Sequence, residues 1–225
     1  MATYRLISFK TCPWVQRAAI VLREKNVEFD FVHIESGNRP EWFGAISPHG
    51  KVPVLRIDEN ISLFESNAIA EYLDDTIQPR LHPEDPIDRA INRAWTDYLP
   101  TFSGLLGAVG SAKTEEELAS AREVLAKAFT RVEEALKKQG AGPYFNGARF
   151  ALVDAGYAPF LQRYLIVEEL GGDDLSREFP ALRQWAEALV ARPSTHTFPP
   201  EVFRALYLDG VKGRGGLIAK RLLAA

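Results

Sequence analysis

"SFKTCPWVQRAAI", residues 8–20, holds the only cysteine of a 225-residue chain, and the elements on either side of it decide what kind of fold this is. Residues 3–8 read as a strand. After Cys12 and Pro13, the apolar residues Val15, Ala18, Ala19 and Leu22 recur at helical spacing through residues 14–25, while Arg17, Arg23 and Glu24 fall elsewhere. Proline suits the first helical position, because its fixed φ fits there and its missing N–H would have had no intrahelical partner. A strand that passes through one cysteine into a proline-started helix is the beginning of a core shared by strands and helices.

The pattern continues outward. Val27, Phe29 and Phe31 alternate with Glu28, Asp30 and Val32, which predicts a second strand. A loop with "ESGNRPEWF" and "SPHG" follows. Residues 52–57 and 61–64 then form two strands joined by the turn Asp58-Glu59-Asn60, and Ser66 opens a helix with Ile69, Tyr72 and Leu73 on one face. Three prolines between Gln78 and Pro86 mark a stiff linker. Beyond it the chain reads as helical over 86–111, 114–139, 154–170 and 180–191, with "GAGP" and "GGDD" as separators. The predicted division is an α/β domain over 1–78, a linker over 79–86 and an all-α domain over 87–225, with a tail after about residue 200.

With 46% hydrophobic and 25% charged residues, the chain has the composition of a globular protein large enough for two small domains. A net charge of −3 argues against a sequence-independent grip on nucleic acid, which needs a basic face. No basic-then-apolar signal opens the sequence and no apolar run nears the roughly 18–20 residues that span a bilayer, so no membrane partner and a cytoplasmic location are expected. One cysteine makes no intramolecular disulfide and cannot supply the thiolates of a zinc or iron–sulfur site, so no metal is expected.

A lone cysteine is commonly a small buried hydrophobe. Cys12 differs in position: at a helix N-terminus, unpaired N–H groups and the dipole favour the thiolate, which predicts a lowered pKa. A dithiol redox protein would place a second cysteine at position 15, where this chain has Val15. Any disulfide that Cys12 forms therefore needs an external thiol to resolve it.

The order "TCPWVQR", "NRPEWF", "GKVPVL" and "LFESNAIAEYLDD" resembles the thioredoxin-like N-terminal domain of glutathione transferases, most of all the cysteine-containing omega and lambda classes and their bacterial relatives. "FALVDAGYAPFLQR" resembles the C-terminal helical domain of the same family, and the likeness runs to about Pro193. It implies a mixed four-stranded sheet with helices followed by a helical bundle, glutathione as cosubstrate, and a homodimer. Residue by residue, it implies that Cys12 is the catalytic nucleophile and that Pro53 follows a cis bond leaving the Val52 backbone to pair with the cysteinyl part of glutathione. It implies that Glu65 and Ser66 hold the γ-glutamyl end at a helix start, that Arg39 meets the glycine carboxylate, and that Trp14 borders the thiol. Each also has a plain structural reading: edge-strand packing for Val52, an N-cap for Ser66, a solvated arginine, a packed tryptophan. One position departs from the family pattern. Ala151 stands where a Ser or Thr completes a capping box with Asp154, so Asp154 should bind a backbone N–H.

The expected reaction is glutathione-dependent thiol transfer or reduction of a disulfide or oxidised small substrate through a Cys12–glutathione mixed disulfide. Conjugation of glutathione to electrophiles, and a glutathione-binding module without turnover, are the alternatives. The second substrate is expected in the interdomain cleft, with Trp95, Tyr98 and Tyr164 as lining candidates. The tail after Pro200 reads as a solvated terminal helix, with a pocket cover as its other reading.

Overall fold

The computed structural model describes residues 4–171 and 174–224. Thr3, read as the start of the first strand, Gly172 and Asp173 of the "GGDD" separator, and Ala225 lie outside the described residues. Strand β1 (Tyr4–Ser8) enters helix α1 (Pro13–Glu24), which is followed by β2 (Phe29–His33), a short helix α2 (Phe43–Ile46), β3 (Val54–Ile57), β4 (Ile61–Phe64) and α3 (Ser66–Thr76). The strands form one sheet in the order β2-β1-β3-β4. β2 runs parallel to β1 with Leu6 opposite Phe31, while β3 pairs antiparallel with both β1 and β4. The loop predicted after β2 thus contains one helical turn, anchored by buried Phe43. β3 begins at Val54 rather than at residue 52, because Pro53 has no N–H to give a ladder.

α1 departs from the predicted one-sided helix. Residues Val15 to Leu22 are all buried, Gln16 and Arg17 included. The reason is its location between two layers: α1 packs beside α3 over the sheet and also against α6 (Leu152–Gly171) of the helical region. Its polar side chains turn into cross-links. Gln16 Nε2 donates to Gln162 Oε1 (2.8 Å) and to the Thr195 carbonyl (2.7 Å), and Arg17 Nη2 donates to Asn67 Oδ1 (2.6 Å).

The helical region adds α4 (Pro86–Ser111), α5 (Glu115–Lys138), α6, α7 (Pro180–Ala191), α8 (Pro200–Arg214) and α9 (Leu217–Ala224). Capping explains where two of them start. Asp85 accepts from the N–H groups of Ile87 and Asp88, and Thr114 accepts from Glu117 N–H. Three acidic residues in the first turn of α5 and two lysines in its last complement the helix dipole. At the start of α6, Asp154 does bind a backbone N–H, as the missing hydroxyl at Ala151 required, and more than one. Its Oδ2 accepts from Ala151 N–H (2.7 Å), and its Oδ1 accepts from Phe145 N–H (2.9 Å) and Trp185 Nε1 (2.6 Å).

The linker is pinned from the sheet side. Lys25 Nζ, wholly buried, meets Asp74 Oδ1 at 2.9 Å and donates to the carbonyls of Ile77 and Pro79, while Asp74 accepts from the N–H groups of Leu81 and His82.

The solvated reading of the tail is wrong. Phe203, Val211, Ile218 and Ala219 are buried, and Leu217 N–H donates to the Ala112 carbonyl at the end of α4 (2.8 Å). Gly215 makes the turn between α8 and α9 at φ +63°, and a side chain at Gly216 would sit 3.2 Å from the Ala112 oxygen. The tail folds back because its apolar positions have a helix end to cover.

Candidate functional site

Cys12 caps α1 in an extended conformation, with its carbonyl accepting from Gln16 N–H (3.1 Å). The N–H groups of Trp14 and Val15 are turned toward the sulfur and favour the thiolate, though neither closes to a full hydrogen bond. Burial outweighs them. The Cys12 thiol is pushed above its ordinary pKa by desolvation, against the pull of those N–H groups and of the Arg163 charge. This corrects the lowered pKa expected from the helix end: the dipole is present, but the half-buried sulfur has lost more from leaving water than it gains. The remaining thiolate is correspondingly more nucleophilic, since nucleophilicity rises with thiol pKa.

Two cavities reach the residues on either side of Cys12, though Cys12 itself lines neither: Trp14 lines the first, and Thr11 and Pro13 line the second. The first, about 370 Å³, brings together Trp14 of α1, Val52 and Pro53 before β3, and Glu65 and Ser66 at the start of α3. The Val52–Pro53 bond is cis, and the ladder between β1 and β3 ends at Val54, which leaves Val52 beyond it. Glu65 caps α3 at φ +66°, a left-handed backbone that a residue with a side chain adopts at a cost of order 1–3 kcal/mol. That conformation aims the start of α3, with buried Ser66, at the cavity. The N–H groups of a helix start suit a carboxylate.

Three predicted residues sit elsewhere. Arg39 is exposed, and its Nη1 donates to the Gly50 carbonyl (2.6 Å) while its guanidinium stands 5.9 Å from the Phe9 ring. It orders the loop before Val52; the bases that line the cavity are Lys51, His49 and Arg17. Trp95 and Tyr98 line neither cavity. They meet edge to face and extend inward through Phe145 and Phe102, because the turn of α4 that carries them faces the helical core. Thr96, Asp97 and Pro100, one turn face away, line the first cavity instead. Tyr164 lines the second cavity but is almost wholly buried, packed on Phe129.

Sequence reading missed two buried arginines. Arg17 and Arg163 both have pKa values lowered by burial to about 10, and both therefore stay charged at neutral pH. Among the described residues, Arg17 Nε and Thr96 Oγ1, of two residues that line the first cavity, are buried with no hydrogen-bond partner. The signal available was weak: Arg17 lies on the predicted polar side of α1, where a solvated arginine is the ordinary expectation. Among the described residues, no group of three His, Cys, Asp or Glu side chains is placed to hold a metal ion, and no helix is long and apolar enough to cross a membrane.

Comparison with known proteins supplies the context for this geometry. Residues 6–80 match the family model for the glutathione S-transferase N-terminal domain, and residues 115–188 match that for the C-terminal domain. Glutathione S-transferase omega-1 of Sus scrofa is 30% identical over 211 residues, covering 91% of this chain and 86% of that protein. Among solved structures, the glutathione transferase Omega 3C of Trametes versicolor superposes with a TM-score of 0.77 at 28% identity, covering 85% of this chain and 86% of that one. Rice GST1, crystallised in complex with glutathione, superposes at 0.81 and 27% identity, covering 95% and 98%.

Proposed function

Since the chain belongs to the glutathione S-transferase family, we propose that it acts by the cysteine route, as a glutathione-dependent thiol transferase or reductase of disulfide or oxidised small substrates. The observation that carries this reading is the start of α1 at Cys12, whose neighbours Trp14, Thr11 and Pro13 line two cavities, the first of them lined also by Val52, Glu65 and Ser66. In this reading glutathione occupies the first cavity, held by the domain formed by residues 1–78 and bordered by Thr96, Asp97 and Pro100 of α4. Its γ-glutamyl carboxylate lies at the start of α3, its cysteinyl part pairs along Val52, and Lys51 or Arg39 serves its glycine end. The Cys12 thiolate attacks the bound disulfide, a Cys12–glutathione disulfide forms, and a second glutathione releases it. No metal takes part. A homodimer and a cytoplasmic location belong to the same reading.

The hydroxyl of Ser8 does not compete for the role of Cys12. Ser8 is buried and its Oγ donates to the Phe9 carbonyl (2.6 Å). One observation favours a second reading, conjugation of glutathione to electrophiles: burial raises the Cys12 pKa, which lowers the thiolate fraction at neutral pH. Turnover of a glutathione mixed disulfide and of a chloronitrobenzene, by the wild-type protein and by Cys12→Ala, separates the two. Disulfide turnover that disappears with the thiol supports the proposal; dominant conjugation that survives Cys12→Ala refutes it.

A further inference from the structure

Among the described residues, Arg163 is a buried cation with no carboxylate partner. It is 9% exposed and, among the described residues, its guanidinium meets only neutral groups: Gln16 Oε1 (2.8 Å), the Thr11 carbonyl (2.9 Å) and the Pro159 carbonyl. The Pro159 contact is local, one turn back along α6. Its face lies 4.9 Å from the Phe203 ring and 5.8 Å from Tyr207, both on α8. A charge buried this deeply without an opposite charge is unfavourable, and an anion brought to it would relieve that cost.

The surrounding cavity repeats the same sign. Arg214, at the end of α8, lines it 5.7 Å from the Tyr207 ring and in contact with the Tyr207 hydroxyl, and it too meets no carboxylate among the described residues. No Asp, Glu or Lys lines this cavity. Its volume of about 280 Å³ is at the small end for ligand sites, and glycines from α4 and the tail keep its roof close. Thr11 and Pro13, the neighbours of Cys12 in sequence, line this cavity, whereas Trp14 lines the first.

We propose that this second cavity is an anion-specific acceptor site: it holds the leaving-thiol half of a glutathione mixed disulfide whose free end carries a carboxylate, seated between Arg163, Arg214 and the Tyr207 hydroxyl. The proposal rests on the thiol-transfer reading above and names its substrate class. Cys12 thiolate attacks the glutathionyl sulfur, the new Cys12–glutathione disulfide forms, and the old disulfide breaks. Its electron pair leaves on the acid-bearing thiolate, which takes a proton from water. Reduced glutathione, as its thiolate, then attacks the glutathionyl sulfur on Cys12, giving oxidised glutathione and the Cys12 thiolate. The two arginines stabilise both the distant carboxylate and the charge that develops on the leaving sulfur.

Three mixed disulfides of glutathione, with 3-mercaptopropionate, 2-mercaptoethanol and cysteamine, test this by kcat/KM. The expected order is acidic over neutral over cationic, with at least a tenfold preference for acidic over neutral that shrinks as salt is raised. Arg214→Gln should lower the acidic-to-neutral ratio severalfold, and Arg163→Gln should abolish it if that variant folds. Arg204→Gln, on the same helix but paired with Glu169, should leave the ratio alone. An unreactive pair of thioethers, S-(3-carboxypropyl)glutathione and S-(3-hydroxypropyl)glutathione, provides the arm that is independent of turnover. Calorimetry should show the acid bound about tenfold tighter by the wild-type protein, a preference that Arg214→Gln lowers severalfold. Equal affinities in the wild-type protein overturn the anion site even if all three disulfides react. Tighter binding of the acid with no disulfide turnover supports the site while refuting the thiol-transfer reading.

Discussion

Asp154 is the residue whose loss the structure prices most directly. Its two oxygens take three buried donors, the backbone N–H groups of Ala151 and Phe145 and the Trp185 indole N–H, and the residue is 0% exposed. Asp154→Ala leaves all three without a partner, at about 1–3 kcal/mol each, so a loss of about 5 kcal/mol is expected. That is comparable with the whole stability of many domains. Asp154→Asn keeps the two bonds to one oxygen but turns an amide N–H toward the Ala151 N–H, for about 2–3 kcal/mol. Urea unfolding followed by tryptophan fluorescence and by circular dichroism at pH 7.5 measures both. The comparison also carries a pH signature. Burial pushes the Asp154 carboxyl up to about 6 despite its three donors, so the folded state binds this proton more tightly than the unfolded chain. Its ionisation therefore works against folding above about pH 6, and the wild-type protein should gain on Asp154→Asn by about 3 kcal/mol as the pH falls from 7 to below 4. An Asp154→Ala variant that loses less than about 1 kcal/mol would refute the claim that these bonds hold the start of α6.

Three further outcomes follow from the same contacts. Lys25→Met removes the buried partner of Asp74 and two carbonyl contacts on the linker, and should lower stability by about 3–5 kcal/mol in the same unfolding assay; a loss under 1 kcal/mol contradicts the pinning role. Glu65→Gly relieves the left-handed backbone at φ +66°, so it should raise stability by about 1 kcal/mol while weakening retention on immobilised glutathione; a variant that is no more stable sinks the strain argument. Alkylation of Cys12 by iodoacetamide, followed against pH in the free protein, should inflect above the pKa of an ordinary thiol because burial raises it, and higher still in Arg163→Gln. An inflection below 7 would show that the helix end, not burial, governs the sulfur.

Much of the fold could be read from local periodicity. The strand–cysteine–proline–helix junction, the β3–β4 hairpin and the starts of α4 and α5 are set by neighbours in sequence: a proline at the first helical position, an Asp-Glu-Asn turn, an Asp or Thr cap. What escaped depends on contacts between distant segments. Arg17 and Arg163 look like solvated bases until α1 and α6 are packed face to face, and nothing in the sequence around Arg39 shows that it meets the Gly50 carbonyl. Trp95 and Tyr98 are aromatic and near the cleft in sequence, but a helix turn decides which side they face, and here it is the core. The tail was misread for the same reason: its few apolar residues are too sparse to predict burial, yet they meet the end of α4 and close the second cavity. The sign of the Cys12 shift likewise needed the burial of the sulfur, which no helix-end argument supplies.

The central claim is that Cys12 accepts glutathione as a disulfide. Mass spectrometry of the intact protein after exposure to oxidised glutathione tests it directly. The account predicts one glutathionyl adduct, mapped to Cys12 and removed by excess reduced glutathione. A thiol that stays unmodified, yet is alkylated by iodoacetamide afterwards, would contradict it.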